Sequence, residues 1–251
     1  MGYDRRDPMT LLLPRAPSGW RAYAVGDVHG RLDLLDRLLG KIDADLAERP
    51  ADRVALVMLG DLIDRGPDSR GVVERLRTMD ESRYRRICLM GNHEEVLLRI
   101  LAGERGLVQD WLLFGGAECL GSYGVDASLV GRLPERQALE IIRRAIPDAH
   151  SAFIESFADT LRFGDYLFVH AGIRPGVAIE EQKQIDLRWI RREFLDHDEN
   201  LEAMVVHGHT ISASVEQLSH RIGIDTGAYR SGVLTALAVE DDRRWFLSTG
   251  Q

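Results

Sequence analysis

Cysteine is nearly absent from this 251-residue chain: Cys88 and Cys119 stand alone, and neither belongs to a CxxC pair. That excludes a disulfide framework and a thiolate metal site as organising features, and two buried free thiols are expected. Long apolar runs are missing too. The longest within residues 1–20 is the triplet Leu11-Leu12-Leu13, far short of a secretory core, and no stretch approaches the ~20 apolar residues of a membrane span. A cytoplasmic location without a membrane partner is the resulting expectation. Positive charge is in deficit. The net charge of −8 disfavours non-specific contact with nucleic acid or anionic lipid. Lysine occurs only at Lys41 and Lys183, so nearly every basic residue is arginine and a bare arginine says little about anion binding.

What remains is the composition of an ordinary globular protein, 45% hydrophobic and 29% charged, long enough to bury a core without staples. Residues 1–20 read as an N-terminal extension and 21–251 as one domain. Trp20 to Val25 reads as a strand, Arg31 to Leu46 as an amphipathic helix, Val54 to Leu59 as a buried strand, Gly71 to Met79 as a helix and Arg86 to Met90 as a third strand. This β-α-β-α-β order predicts parallel strands with covered faces. From about residue 95 to 160 the strand signals stop. Glu95 to Leu101 and Leu133 to Ile146 read as helices around a glycine-rich piece, a helical insertion near one end of the sheets. Strands then return at Tyr166 to Val169, Met204 to Val206, Arg221 to Ile224, Val233 to Val239 and Arg244 to Leu247, the last of them closely spaced and suited to antiparallel pairing.

The polar residues that carry chemistry sit where these apolar runs end. Asp27 and His29 flank Val28, so an extended segment points both to one face. Asp61 follows the second strand, Asn92 the third, and His170 and His209 two later ones. Hydrolysis of a phosphate ester needs a hydroxide nucleophile at neutral pH and neutralisation of the transferring group. Two cations about 3.5–4 Å apart, held by about six or seven N/O ligands, supply both. Strand ends suit such ligands because the sheet fixes the backbone while the turn aims the side chain. Carboxylate, imidazole and amide without thiolate favour Mn, with Fe or Zn as further choices.

The ordered segments Gly26-Asp27-Val28-His29-Gly30, Gly60-Asp61-Leu62-Ile63-Asp64-Arg65-Gly66, Gly91-Asn92-His93-Glu94, Val169-His170-Ala171-Gly172 and Gly208-His209-Thr210 resemble the motifs of the calcineurin-like metallophosphoesterases. Within them they resemble the compact bacterial and phage PPP-type serine/threonine phosphatases. The resemblance runs from about residue 22 to 230 and implies an αββα four-layer sandwich with mixed sheets, of α/β or α+β class. It implies that Asp27, His29 and Asp61 hold one metal, and that Asp61, Asn92, His170 and His209 hold the second. His93 would protonate the leaving oxygen, oriented by Asp64. Arg65 would bind phosphate oxygens, together with Asn92 and a second arginine. The segment Leu187-Arg188-Trp189-Ile190-Arg191 resembles the Trp-x-Arg element of the bacterial forms, which selects Arg191, with Arg188 as the fallback. His209 is preferred over His207, Tyr229 falls where related enzymes place an aromatic at the substrate edge, and Ile211 replaces a second histidine that some relatives carry for the first metal. His150, His197 and His220 lie in motif-free surroundings and read as surface histidines.

The implied activity is hydrolysis of phosphoserine, phosphothreonine or phosphotyrosine in proteins by attack of a metal-bound hydroxide, without a phosphoenzyme. Asp64 and Glu94 favour it over the alternatives, a symmetrical dinucleoside-tetraphosphate hydrolase or a broad small-molecule phosphatase. A binding protein that keeps metals without turnover would have no use for His93, Asp64 or Arg65. Because neutral imidazoles are required, activity is expected to collapse below about pH 6.

Overall fold

The computed structural model describes residues 13–250; most of the 1–20 stretch lies outside them. Ten strands are present among the described residues: β1 (Trp20–Val25), β2 (Arg53–Met58), β3 (Arg85–Cys88), β4 (Thr160–Phe163), β5 (Tyr166–Val169), β6 (Met204–His207), β7 (Glu216–Gln217), β8 (Arg221–Gly223), β9 (Thr235–Glu240) and β10 (Arg243–Ser248). They form two five-stranded sheets, ordered β10-β9-β1-β2-β3 and β4-β5-β6-β8-β7. β1, β2 and β3 are parallel, with α1 (Leu32–Glu48) and α2 (Ser69–Arg77) as the crossovers. The closely spaced strands β9 and β10 pair antiparallel with each other, and β9 with β1. In the second sheet β5, β6 and β8 are parallel, and the edge strands β4 and β7 run antiparallel to their neighbours. β8 therefore meets the antiparallel expectation only toward β7, from which it follows by a short turn; toward β6 it is parallel.

Alternation along the strands assigns side chains to layers. On β1, Tyr23 and Val25 face the helices while Ala22 and Ala24 face the second sheet. A core between the sheets joins Val57, Leu59 and Leu237 to Phe168, Val206 and Ile222. Outside the first sheet, α1 buries Leu34, Leu35, Leu38, Leu39 and Ile42, each such side chain contributing roughly 1.5–3 kcal/mol. Outside the second sheet a smaller core of Leu167, Val169 and Val205 packs on Leu187, Ile190 and Phe194. The order is helix, sheet, sheet, helix, the expected four-layer sandwich. Cys88 and Cys119 are buried free thiols. Among the described residues no helix is long and apolar enough to cross a membrane.

Between β3 and β4 the chain is helical but more broken than its periodicity suggests. It forms α3 (Asn92–Ala102), α4 (Val108–Trp111), a π-helical turn over Leu112–Gly116, α5 (Ala117–Ser122), α6 (Ala127–Val130), α7 (Glu135–Ala145) and α8 (Asp148–Glu155). Helices of four to six residues are too short to show a 3.6-residue repeat, and Gly115 leaves helical geometry altogether at φ 117°. Between β5 and β6 the chain is likewise broken, with α9 (Gln184–Trp189) and α10 (Arg192–Leu195) separated at Ile190–Arg191. The surface assignment of two histidines needs correction. His150 is buried where α8 packs on α2, between the Tyr123 hydroxyl at 2.8 Å and Glu74 at 3.0 Å. His220 is buried with its ring against His197.

Candidate metal centre

The parallel strands β1, β2, β3, β5, β6 and β8 deliver their C-terminal turns to one rim of the sandwich. Asp27 and His29 follow β1, Asp61 follows β2, Asn92 opens α3 after β3, His170 follows β5, and His209 follows β6. These turns are tight. Six described non-glycine residues have positive φ, and five of them are His29 (45°), Asp61 (48°), Asp64 (69°), Arg65 (66°) and His209 (62°). Left-handed backbone at such residues costs on the order of 1–3 kcal/mol each and persists only where surroundings over-determine it. Glu94 supplies much of that constraint for Asp61. Its buried carboxyl accepts the N–H groups of Asp61 (2.8 Å), Leu62 (2.7 Å), Ile63 (3.2 Å) and Gly91 (3.1 Å).

Two groups of donor atoms converge at this rim: His29, Asp61 and His93, and Asp61, His170 and His209. Asp61 belongs to both. Its Oδ1 lies 3.4 Å from His170 Nε2, and its Oδ2 lies 3.5 Å from His29 Nε2 and 3.9 Å from His93 Nε2. His170 Nε2 also lies 3.0 Å from Asn92 Oδ1 and 3.2 Å from His209 Nδ1. Because His170 Nδ1 donates to the Leu59 carbonyl at 2.9 Å, its Nε2 carries a lone pair. That lone pair faces two oxygens with no proton between them, an arrangement that repels itself and that a divalent cation would relieve. His29 is set the same way, its Nδ1 donating to Ile63 O at 2.8 Å. Backbone carbonyls so orienting the far ring nitrogen are typical support for ligating histidines.

Charge separates the histidines into two kinds. Burial pushes His29 down to about 3 and His209 down to about 2, and lowers His170 as well. Burial opposes protonation of His93 too, but Asp61 and the hydrogen-bonded Asp64 outweigh it and raise His93. His93 Nδ1 donates to Asp64 Oδ2 at 2.7 Å. For Asp61, burial favours the neutral acid, yet His170, His93, His29 and His209 together hold it well below the usual carboxylate range. Three imidazoles whose neutral, lone-pair-bearing form is favoured thus stand beside one whose protonated form is favoured.

Residues 21–229 match the calcineurin-like phosphoesterase family. The chain belongs to that family. It is 27% identical over 227 residues to serine/threonine-protein phosphatase 1 of Salmonella typhimurium, covering 88% of this chain and 93% of the relative. It is 26% identical over 234 residues to the asymmetrical bis(5'-nucleosyl)-tetraphosphatase PrpE of Anoxybacillus flavithermus, covering 85% and 88%. The fold superposes with a TM-score of 0.63 and 19% identity on a crystal structure of a candidate diadenosine tetraphosphatase, over 93% of this chain and 98% of that one. The protein is a metal-dependent phosphoesterase, and its two donor groups fit a dinuclear centre.

The remaining sequence-derived residues of this phosphoesterase fall unequally around the rim. Asp27 stands outside both donor groups; its carboxylate accepts the His209 N–H at 3.0 Å, and burial with nearby Asp225 and Asp61 raises its pKa. Gly208 is what permits that contact, since a Cβ there would press into Asp27 Oδ1. Gly208→Ala is therefore expected to displace Asp27 and His209 together and to lower turnover on the order of 100-fold with reduced metal content; normal values on both counts would remove Asp27 from the site. Arg65 is half-buried, donates to His29 Nε2 at 3.0 Å and lies over the Tyr229 ring at 5.0 Å. Arg188 is engaged elsewhere, by Asp159 at 2.6 Å and Glu95 at 3.4 Å. Arg191 is exposed, reaches Thr210 at 3.3 Å and lies close enough to His209 and His170 to lower both. His207 turns away, its ring against Phe194.

Two residues of the rim were not singled out from the sequence. Asp225, after β8, is buried beside Asp27 and pushed up to about 6 by burial; the Asp-Thr-Gly that ends this strand was its only signal. Trp111, from the insertion, donates to Asp64 Oδ2 at 3.0 Å, and nothing in its local sequence points to that contact. Arg65 and Tyr229 separate two open clefts, of about 620 Å³ toward Arg31 and Asp36, and about 370 Å³ toward Leu113 and Phe114.

Proposed function

We propose that this phosphoesterase removes phosphate from phosphoserine, phosphothreonine or phosphotyrosine in proteins. The observation that carries the reading is His93, its Nδ1 bonded to buried Asp64 and its ring set beside Arg65 at an open surface. Asp27, His29 and Asp61 would hold one divalent ion, and Asp61, Asn92, His170 and His209 would hold the second. When bound, the pair acidifies a water and neutralises charge on the phosphoryl group, with Mn favoured by the donor set and Fe or Zn also accommodated. Arg65, Arg191 and Asn92 hold phosphate oxygens, the guanidinium forks being suited to that geometry. His93 gives its proton to the leaving oxygen, and Asp64 keeps the ring aligned.

Open clefts on both sides of Arg65, with Leu113 and Phe114 exposed along one of them, suit an extended peptide passing through the site. A second reading, hydrolysis of dinucleoside tetraphosphates, draws on the PrpE relative and on Tyr229, an aromatic ring beside Arg65 that could take a base. Parallel assays with phosphoseryl and phosphothreonyl peptides, a dinucleoside tetraphosphate and an aryl phosphate separate the two. A kcat/KM for peptides at least about tenfold above that for the tetraphosphate is expected; the reverse order would replace the first reading by the second. The strong lowering of His29 and His209 by burial also moves the acid limit. These imidazoles keep their lone pairs well below pH 6, so metal retention is expected to persist further into acid than ordinary histidines would allow.

A further inference from the structure

We propose that Trp111 is a positioning residue of the acid dyad, and that through it the helical insertion sets the efficiency of leaving-group protonation; this rests on the reading of His93 as the acid. Asp64 Oδ2 receives two donors, His93 Nδ1 at 2.7 Å and Trp111 Nε1 at 3.0 Å. The other carboxylate oxygen, Oδ1, is buried with no hydrogen-bond partner among the described residues. The Cys119 thiol also lies against this carboxyl, and the indole is the second of the two N–H donors that restrict its rotation. Without it Asp64 is free to turn about its side-chain axis and present either oxygen, and His93 loses a fixed acceptor.

The indole is itself well held. Trp111 is buried, and Gly116 packs against its face so closely that a Cβ would collide with the ring. The same turn grips the next residue along, as the Arg65 N–H donates to Gly115 O at 3.0 Å. Asp64 and Arg65 are both left-handed, so the insertion secures a strained dipeptide from two directions, by a side chain and by a backbone carbonyl. Leu113 and Phe114, between these two contacts, point to solvent and are 82% and 65% exposed. One five-residue stretch therefore touches the dyad, the phosphate arginine and the substrate cleft.

Trp111→Phe keeps the ring and removes the N–H. Its effect should depend on how much the leaving group needs a proton. For a phosphoseryl peptide, whose alkoxide is a poor leaving group, kcat is expected to fall about tenfold, within the range a positioned general acid supplies. For 4-nitrophenyl phosphate, whose leaving group needs little help, it should change less than about twofold, with metal content unchanged. Equal losses on both substrates, or no loss on the peptide, would overturn the proposal. His93→Asn in the same series tests the underlying reading separately, since an acid must show the same selectivity with a larger amplitude. A measurement independent of turnover and of Trp111→Phe uses the wild-type protein, with Asp64→Asn as the comparison. Of its four indole N–H signals, one is expected to be slow to exchange and to shift in Asp64→Asn. Four indole signals indifferent to Asp64→Asn would also overturn it.

Discussion

Asp61→Asn is expected to abolish turnover, by on the order of 10³-fold or more, and to leave the chain with one or both metals missing. The substitution is nearly isosteric, and asparagine is among the few residues that accept the left-handed backbone found at Asp61 (φ 48°). The Glu94 contact to the Asp61 N–H is untouched. What changes is charge and lone pairs. Asp61 offers one oxygen toward His170 and the other toward His29, so an amide must turn an NH2 toward one of them. No other residue belongs to both donor groups, which is why a single atom exchange should disable both halves. Metal analysis, circular dichroism and kcat on one preparation test this. Full turnover at normal metal content would remove Asp61 from the bridging role and with it the proposed mechanism.

His93→Asn should behave differently, and the contrast is informative. Metal content should stay normal while kcat on alkyl phosphates falls by roughly 10²–10⁴-fold, the usual worth of a general acid. The pH profile supplies a second readout. Asp61 and Asp64 raise His93 above its ordinary value against the opposing effect of burial, so the proton is retained further toward alkaline pH and is lost as pH rises through that raised value. Wild-type turnover of alkyl phosphates should therefore decline on the alkaline side, and that decline should be missing in the variant. Loss of metal instead would reassign His93 as a ligand, an outcome the convergence of His29, Asp61 and His93 makes concrete.

Much of this arrangement was legible in the sequence because strand ends announce themselves: an apolar run stops, and a glycine and a polar residue follow. β1 and β5 fall where their apolar runs place them, and the other strands seen in advance shift by one or two residues. β4 and β7 gave no such signal, being short edge strands with little or no apolar run. The insertion was legible as helical but not in its breaks, since the π-helical turn depends on Gly115 meeting Arg65 rather than on any local repeat. Positive φ at His29, Asp61, Asp64, Arg65 and His209 is a tertiary property of the turns. The preference for His209 over His207, and for Arg191 over Arg188, came from motif position. The structure adds why each neighbour is engaged elsewhere: His207 packs on Phe194, and Arg188 is held by Asp159 and Glu95. Trp111 illustrates the limit, since its partner Asp64 lies 47 residues away.

The donors that converge on His170 come in equal parts from the two sheets. Asp61 and Asn92 hang from β2 and β3, His170 and His209 from β5 and β6, at the rim of the apolar core that lies between the two sheets. On the proposed ligand set, an ion held by all four would act as a rivet through the sandwich, and loading and cohesion of the two sheets would become one equilibrium. Any ligand that binds only the folded chain adds stability by mass action, about 4 kcal/mol at a thousandfold excess over its Kd. The left-handed turns that aim the donors weaken the rim of the metal-free fold, and an ion bound there would restore stability where the strain is stored.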